Sequence, residues 1–331
     1  MNDRKNNLDF IRFVAAVMVL FSHSWPLTTG SNTHEPLAWA TRYQLDFGAL
    51  AVDIFFVVSG FLVTQSFDRT KNVIVFAKAR ILRIIPGLFV VVVILAFILG
   101  PAVTTDSSSQ YWAEFPFASF IGDHLPGVFV ATPYSGAVDG SLWTIKYEIL
   151  CYVMVALFGM LSILTNRYIM VALWIFSMTS IGVDYSLNLL PFFATGMLFY
   201  VFRRYVPVNG FVALLALAIA LASLWMNESR WAIPLTLGYL VLWFAYTPRV
   251  RLVGFSRYGD WSYGIYIYAF PIQQMLVQYV GIRQPLVLFA IALPITLIFA
   301  GLSWHLIEKN ALKLKKIAIL PRFAPSSRVN G

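Results

Sequence analysis

Apolar segments of membrane-spanning length recur along the whole chain. Each is close to the 20 or so residues that a helix needs to cross about 30 Å of hydrocarbon. Polar residues gather in the segments between them. The all-α fold class that follows is a polytopic integral membrane bundle of about ten transmembrane helices. The predicted spans are residues 8–27, 47–66, 84–104, 142–161, 168–183, 187–202, 209–226, 231–247, 261–280 and 286–306.

Composition supports this interpretation and excludes a soluble domain. The chain is 59% hydrophobic and 12% charged, and its mean hydropathy is +0.74. A soluble domain carries about 25% charged residues. The net charge of +9 does not indicate nucleic acid, because the basic residues lie between the apolar segments, where the positive-inside rule places them. The lipid bilayer is therefore the expected surrounding.

The basic residues also predict the orientation of the chain. With the N-terminus placed in the cytoplasm, all but five of the 24 lysines and arginines fall on the cytoplasmic side. Arg42, Arg230 and Arg283 fall outside, and Arg12 and Lys146 lie within spans. This asymmetry predicts that both ends are cytoplasmic. We accordingly divide the chain into a transmembrane domain, residues 1–306, and a basic cytoplasmic tail, residues 307–331.

Two features of the chain limit the chemistry. The basic start followed by an apolar stretch is similar to a signal peptide, but Asp9 and Arg12 interrupt the stretch, which favours an uncleaved first span. The single cysteine, Cys151, excludes an internal disulfide and a multi-cysteine metal site. It is better interpreted as a small buried apolar side chain than as a nucleophile, and we expect no metal.

The first span carries two costly polar residues on one face. Arg12 and His23 are separated by about 1100° of helix, three turns and 20°, and by about 16 Å along the axis. Asp9 is three residues before Arg12 and is expected to pair with its guanidinium group. Ala15 and Ala16 lie between them and leave room for a thin ligand. Two simpler interpretations stay open: Arg12 as a side chain that snorkels to the inner interface, and His23 as a hydrogen-bonded histidine at the outer one.

Other charged residues extend this pattern. Asp53 and Glu148 are predicted to lie at a depth similar to that of His23, and a histidine beside a carboxylate is the minimal apparatus of general base catalysis. Arg80 and Arg83 share one helical face, a geometry suited to clamping a phosphate group. An ordinary positive-inside loop would explain these two arginines equally well.

Five motifs together resemble the acyltransferase-3 family of integral-membrane O-acyltransferases, of the surface polysaccharide O-acetylase type. They are LDFIRFVAAVMVLFSH at 8–23, AVDIFFVVSGFLV at 51–63, RILRIIP at 80–86, GSLWTIKYEI at 140–149 and YGDWSYGIYIYAFPIQ at 258–273. Two positions depart from the family pattern. Ala269 stands where the family often has histidine, and Asn310 follows Glu308 and Lys309 where the family often has proline.

The resemblance implies a function: transfer of an acyl group, most often acetyl, from cytoplasmic acyl-CoA to a hydroxyl of a cell-surface glycan or its lipid-linked precursor. It implies acetyl-CoA as the donor substrate, a glycan acceptor at the outer face and a place in the bacterial cytoplasmic membrane. A homo-oligomer, or an assembly with glycan biosynthesis proteins, is compatible with it.

Roles for individual residues follow from the motifs and the charges together. The expected catalytic residues are His23, Glu148 and Asp53. The residues expected to bind acyl-CoA are Arg12, Arg80, Arg83 and Lys78. The residues expected to orient the site are Asp9, Ser141, Trp143 and Tyr263.

Functions of two other classes are weighed against the acyltransferase. A proton-coupled transporter of a glycan or small organic molecule would also use intramembrane charges. The chain, however, shows neither an inverted repeat nor paired broken helices, which many transporters have. A non-catalytic subunit that binds glycan or lipid is the other alternative. Release of free CoA thiol by purified protein separates these functions.

Overall fold

Helices form all of the regular secondary structure in the part of the chain that the structure describes. The structure is a computed structural model, and it describes residues 6–103, 108–114, 140–182, 187–247, 250, 252 and 255–316. Within those ranges no strand occurs. The predicted all-α class is therefore confirmed for the described residues.

The α-helices are numbered here in chain order. They are α1 (Leu8–Thr29), α2 (Pro36–Ala40), α3 (Phe47–Thr70), α4 (Val73–Ile94), α5 (Gly100–Val103), α6 (Ser108–Glu114), α7 (Trp143–Met160), α8 (Arg167–Met178), α9 (Leu190–Val201), α10 (Gly210–Trp225), α11 (Ser229–Tyr246), α12 (Ser262–Met275), α13 (Pro285–Ser303) and α14 (Lys309–Lys313). Single π-helical turns extend α4, α12 and α13, at Leu95–Leu99, Leu276–Val280 and Trp304–Glu308. Short 3₁₀ turns lie at Leu187–Leu189, Phe255–Tyr258 and Leu314–Lys316.

Several helices are suited to a bilayer by length and composition. Five in the described residues are long and apolar enough to cross one: Leu8–Thr29, Phe47–Thr70, Val73–Ala102, Trp143–Met160 and Pro285–Lys313. Three more apolar helices are shorter, at Arg167–Met178, Leu187–Val201 and Gly210–Trp225. The chain is thus a helical membrane protein. The count of ten spans and the cytoplasmic position of both ends stay predictions.

Helix α1 lies at the centre of the bundle, where it packs against α3, α12 and α13. Ala15 and Ala16 are fully buried, and Ala16 packs with Ile265 of α12 and Ala300 of α13. The predicted open groove along α1 is therefore wrong, because neighbouring helices fill the space beside its small residues.

Helices α3 and α9 cross at two glycines. A methyl group on Gly60 would collide with the backbone carbonyl of Phe193, and one on Gly196 would collide with the carbonyl of Val57. Small residues at a crossing let two helix backbones approach closely, which replaces the missing hydrophobic driving force inside a membrane. This crossing holds α3 in the bundle, and the polar face of α3 is one wall of the candidate site.

Candidate active site

One carboxylate joins two of the predicted arginines. Nη1 of Arg12 on α1 and Nη2 of Arg83 on α4 each lie 2.5 Å from Oδ2 of Asp260, just before α12. Ser262 donates a hydrogen bond of 2.5 Å to the other oxygen, Oδ1. Burial opposes the ionisation of Asp260, but the two guanidinium groups outweigh it and hold the pKa of this carboxyl well below its ordinary range. The carboxylate of Asp260 therefore connects α1, α4 and the start of α12.

This arrangement corrects one expectation. The ion-pair partner of Arg12 is Asp260, and not Asp9, although Asp9 lies on the same helix at a suitable spacing. The guanidinium group reaches across to α12 because Asp260 offers it a mostly buried carboxylate that Arg83 also binds.

A cavity of about 480 Å³, here called the arginine chamber, opens beside these charges. Its wall contains Arg12 from α1, Arg83 from α4 and Lys315 from the C-terminal 3₁₀ turn. Other polar residues of the wall are Ser59, Ser66, Arg69, Arg80, Thr144, Glu148, Tyr152, Tyr263 and Tyr266. Lys78, which was expected to bind acyl-CoA as well, is not among the described residues of this wall.

Of the chamber arginines whose contacts are described, Arg80 is the one without a carboxylate partner. Its Nη2 is 3.4 Å from the hydroxyl of Ser66, and its guanidinium group faces the rings of Phe76 and Tyr152. Its Nε is buried and has no hydrogen-bond partner among the described residues. No described carboxylate forms an ion pair with it. A buried donor without a partner is costly, so this group is poised to bind an anion.

Glu148 belongs to the chamber and not to the surroundings of His23. Its Oε1 accepts hydrogen bonds from the hydroxyl groups of Tyr152 and Ser59, the latter at 3.2 Å. Among the described contacts, neither Glu148 nor Asp53 forms a hydrogen bond or an ion pair with His23. The structure thus does not bring together the carboxylate–histidine pair that the shared depth predicted.

The far end of the chamber is formed where α7 begins. The hydroxyl of Tyr266 on α12 donates to the backbone carbonyl of Ser141 and lies 2.5 Å from the hydroxyl of Thr144. Ser141 in turn donates to the carbonyl of Tyr266, at 3.4 Å. Ser141, expected to orient the site, therefore ties α7 to α12 at this end.

His23 lies just beyond this end. Its ring meets that of Phe270 edge to face, with 5.2 Å between ring centroids. Phe270 follows Tyr266 by one turn of α12, about 6 Å along the axis. The Nδ1 of His23 is buried and has no hydrogen-bond partner in the described part of the molecule. The imidazole is thus held by packing, with Nδ1 enclosed and its hydrogen bond unmade among the described residues.

The other predicted residues take separate positions. Tyr263 donates a hydrogen bond of 2.8 Å to the carbonyl of Ile84, which joins α12 to α4 beside Arg83. Trp143 packs edge to face on Tyr147 of its own helix. Asp53 lies on the wall of a second pocket. In the described ranges, no group of three or more histidine, cysteine, aspartate or glutamate residues could hold a metal ion.

Sequence reasoning did not single out three charged residues of this region. Asp260 is an acidic residue directly before an apolar helix. That position could have marked it as a partner for the arginines of the bundle. Glu308 is buried and accepts a hydrogen bond of 2.9 Å from Ser303. Lys315 was counted only as part of a basic tail, because nothing local predicts that this tail folds back onto the chamber.

Comparisons with known proteins identify the family. The family model described as "Acyltransferase domain" matches residues 5–305. The chain is 28% identical over 340 residues to a protein of Shigella phage Sf6 named "O-acetyl transferase", covering 93% of this chain and 96% of that protein. It is 29% identical over 363 residues to "Nodulation protein 10" of Rhizobium leguminosarum bv. viciae, covering 97% and 96%. No solved structure matches. On the span and order of these matches, the chain belongs to the acyltransferase-3 family and is a membrane O-acyltransferase.

Proposed function

We propose that this protein moves an acetyl group from cytoplasmic acetyl-CoA to a hydroxyl of a cell-surface glycan or its lipid-linked precursor. The observation that carries the donor half of this proposal is the arginine chamber, which has Arg12, Arg83 and Lys315 on its wall. Tyr266 of the same wall precedes Phe270 by one helical turn, and Phe270 contacts His23. The name of the Shigella phage Sf6 relative, "O-acetyl transferase", supports acetyl as the group transferred.

The basic end of the chamber suits the phosphate groups of CoA. Arg12 and Arg83 share one carboxylate, so together they keep about one net positive charge. Arg80 and Lys315 add charge at the same wall. Arginine binds phosphate oxygens with strong charge-assisted hydrogen bonds. Placing the nucleotide here puts it on the side of the bundle that the charge distribution assigns to the cytoplasm.

The remainder of the chamber suits the arm that carries the acetyl group. Arg12 and His23 are about 16 Å apart along α1, a distance of the order that an extended pantetheine arm reaches. Because neighbouring helices pack against Ala15 and Ala16, the arm follows the chamber past Ser59 and Thr144 instead of the face of α1. Its thioester would then meet the ring of Phe270 and, behind it, His23.

The reaction assigned to His23 is general base catalysis. Its imidazole takes the proton of the acceptor hydroxyl while the hydroxyl oxygen forms a bond to the thioester carbonyl carbon. The carbon–sulfur bond breaks, and the CoA thiolate leaves and takes up a proton. A transient acetyl-enzyme would give the same products in two steps. Glu148 lies on the chamber wall and has no described contact with His23. In this proposal it shapes the chamber and does not orient the imidazole.

The test is acceptor-dependent release of CoA thiol by the purified protein. We expect His23→Ala to lower the rate about 10²–10⁴-fold, the range typical of a general base. His305→Ala is the matched control, because His305 is exposed and lies outside the chamber wall. Thermal unfolding in detergent verifies that both variants fold. Full activity in His23→Ala would refute this role, and substrate flux into vesicles without thiol release would favour a transporter.

A further inference from the structure

A second polar pocket, here called the outer pocket, opens near the N-terminal end of α3. It has a volume of about 160 Å³, whereas the arginine chamber reaches Arg69 near the other end of the same helix. Polar residues of its wall are Gln44, Asp53, Asn188, Ser229 and Arg230. By the predicted orientation, this end of the bundle faces the outside of the cell.

Asp53 presents a carboxyl group to this pocket that has no partner among the described residues. The residue is 7% exposed and lies on the pocket wall. No hydrogen bond or ion pair to it occurs among the described contacts. A buried carboxyl group left unsatisfied is unfavourable whether it is charged or neutral. A ligand that can both donate and accept hydrogen bonds would satisfy it in either state.

Gln44, on the same wall, is held in place by two hydrogen bonds. Its Nε2 donates to the backbone carbonyls of Thr41, at 3.0 Å, and Leu224, at 2.8 Å. These two bonds fix which end of the amide is the nitrogen. Its Oε1 is buried and has no donor in the described structure. Gln44 is therefore a fixed part of the wall, and the acceptor that the pocket offers to a ligand is the carboxyl group of Asp53.

The chemistry and the size of the pocket select a polyhydroxylated ligand. Ser229 and Asn188 add neutral polar groups, and Phe192 and Ile233 add apolar wall, which suits a molecule with hydroxyl groups on a carbon ring. The volume is below the roughly 300–1,000 Å³ of pockets that enclose a drug-sized ligand. It therefore takes one part of a larger molecule and leaves the remainder outside.

We infer that the outer pocket binds one sugar residue of the acceptor glycan, with Asp53 accepting hydrogen bonds from its hydroxyl groups. This inference rests on the proposed function. Val52 lies on the walls of both the outer pocket and the arginine chamber, so a single helix separates the two. A methyl group on Gly48 of α3 would lie 3.1 Å from the hydroxyl oxygen of Ser22, so the N-terminal turn of α3 packs beside the residue that precedes His23. Asp53 is then a residue that binds the acceptor, and not one that orients His23.

The test measures sugar binding directly by saturation-transfer NMR with the full chain in nanodiscs. The probes are the methyl glycosides of a hexose, a 6-deoxyhexose and an N-acetylhexosamine, without acetyl-CoA. We expect at least one probe to bind, and we expect Asp53→Ala to weaken that binding about tenfold or more, as the loss of a hydrogen bond to a carboxylate does. Asp53→Asn, which keeps one acceptor oxygen, should weaken it less. Glu228→Ala is the matched control, because Glu228 is exposed and adjoins Ser229 but lies outside the pocket wall.

Each outcome decides one point. Absence of binding by all three glycosides, or equal binding by the native protein and Asp53→Ala, would overturn the inference. Binding that depends on Asp53, together with no thermal stabilisation by acetyl-CoA and no thiol release, would keep the sugar subsite and overturn the proposed acetyl transfer. Asp53-dependent binding in a protein that releases thiol supports both.

Discussion

Arg12 and Arg83 share a single oxygen atom of Asp260, and this changes how the arginines of the site are ranked. A phosphate group would have to compete with a carboxylate for these two cations. Arg80 has no such competitor among the described residues, and its Nε is unpaired. At the scale of single residues, Arg80 is thus expected to contribute most to donor binding, and Arg12 to contribute most to assembly of the site.

We expect Arg80→Ala to raise the KM for acetyl-CoA about 10–100-fold, the effect of losing one or two hydrogen bonds to a charged group. The KM for acetyl-pantetheine, which lacks the nucleotide, should stay within a factor of two or so of the native value, because Arg80 would face the phosphate groups only. Steady-state thiol release with both donors measures the difference. Lys309→Ala is the control, as Lys309 is exposed. An equal rise for both donors would place Arg80 elsewhere in the mechanism.

Asp260→Asn is expected to destabilise the fold by about 3–5 kcal/mol, because it leaves two largely buried arginines without their counter-charge. Thermal and denaturant unfolding in detergent measures this. Asp68→Asn is the matched substitution: its ion pair with Arg203 is longer, at 3.9 Å, and more exposed. Because the asparagine oxygen can still accept the hydrogen bond that Tyr200 donates to Asp68, the loss should be about 1 kcal/mol or less. Similar losses in the two variants would contradict the role of Asp260 as the central charge.

The sign of the pH dependence follows from the lowered pKa of Asp260. A carboxyl whose pKa is lower in the folded protein stabilises it fully above the ordinary unfolded value of about 3.9. That contribution is lost only as the pH falls below this value, toward the folded pKa. The difference in stability between the native protein and Asp260→Asn should accordingly be constant from about pH 5 to 8 and shrink in stronger acid. A difference that shrank near neutral pH would indicate another group.

Local spacing predicted one residue relationship and missed another. The common face of Arg12 and His23 follows from the helical repeat alone, and α1 is continuous from Leu8 to Thr29. The partner of Arg12 did not follow, because Asp260 lies 248 residues away and only the packing of α1 beside α12 brings it near. Glu148 was misplaced for a similar reason: depth along a helix fixes a level in the bundle but not the neighbour that it faces.

Among the helices, α4 begins earlier than its hydropathy predicts. The predicted span began at residue 84, because Lys78, Arg80 and Arg83 lower the hydropathy before it. The helix begins at Val73, and the side chain of Asn72 caps it by accepting hydrogen bonds from the backbone amides of Ile74 and Val75. Arg80 and Arg83 lie on its chamber face. These arginines are therefore part of the helix, although a hydropathy window assigns them to the loop before it.

The short C-terminal helix closes the basic end of the chamber. Helix α14 and the 3₁₀ turn after it pack against α4, and Leu312 and Lys315 reach the chamber wall. Desolvation at the chamber wall, together with the neighbouring charges of Arg80 and Arg83, lowers the pKa of Lys315 to about 8, although the residue stays exposed to solvent. Lys315 therefore loses its charge in a range of pH where the arginines keep theirs.

We expect the KM for acetyl-CoA to rise as the pH increases from about 7 to 9, because a neutral Lys315 no longer attracts a phosphate group. In Lys315→Arg this rise should disappear, since arginine stays charged throughout, and in Lys315→Ala the KM should be high at every pH. Lys313→Ala is the control, because Lys313 is exposed and donates only to Asn310 among its described contacts. A pH profile of Lys315→Arg identical to the native one would refute the assignment.

On the scale of the whole molecule, the two cavities define a direction. The arginine chamber is basic and contains Arg69, Arg83 and Lys315, whereas the outer pocket lies at the opposite end of α3. The donor and the acceptor would enter from opposite ends and meet near His23. This direction follows from the orientation predicted from the basic residues, because Arg69, Arg83 and Lys315 are among the residues that predict it.

Single cysteines test that orientation. The native chain has one cysteine, Cys151, which is buried, so Cys151→Ser provides a background without reactive thiols. We expect Thr33→Cys, in the exposed segment after α1, to react with a membrane-impermeant maleimide on intact spheroplasts. Lys309→Cys, exposed in α14, should react only after lysis. The reversed pattern would contradict the predicted cytoplasmic ends, and equal labelling before lysis would place both sites on one side.

The distance in sequence between Arg12 and Asp260 has a consequence for how the protein is made. Their 248-residue separation means that a ribosome adding about 5–20 residues per second delivers the aspartate roughly 12–50 s after the arginine. During that interval the first helix must keep a charged side chain at the water-exposed inner surface of the bilayer or in the insertion machinery. A nascent chain that ends before α12 therefore lacks the counter-charge that Arg12 binds in the folded protein.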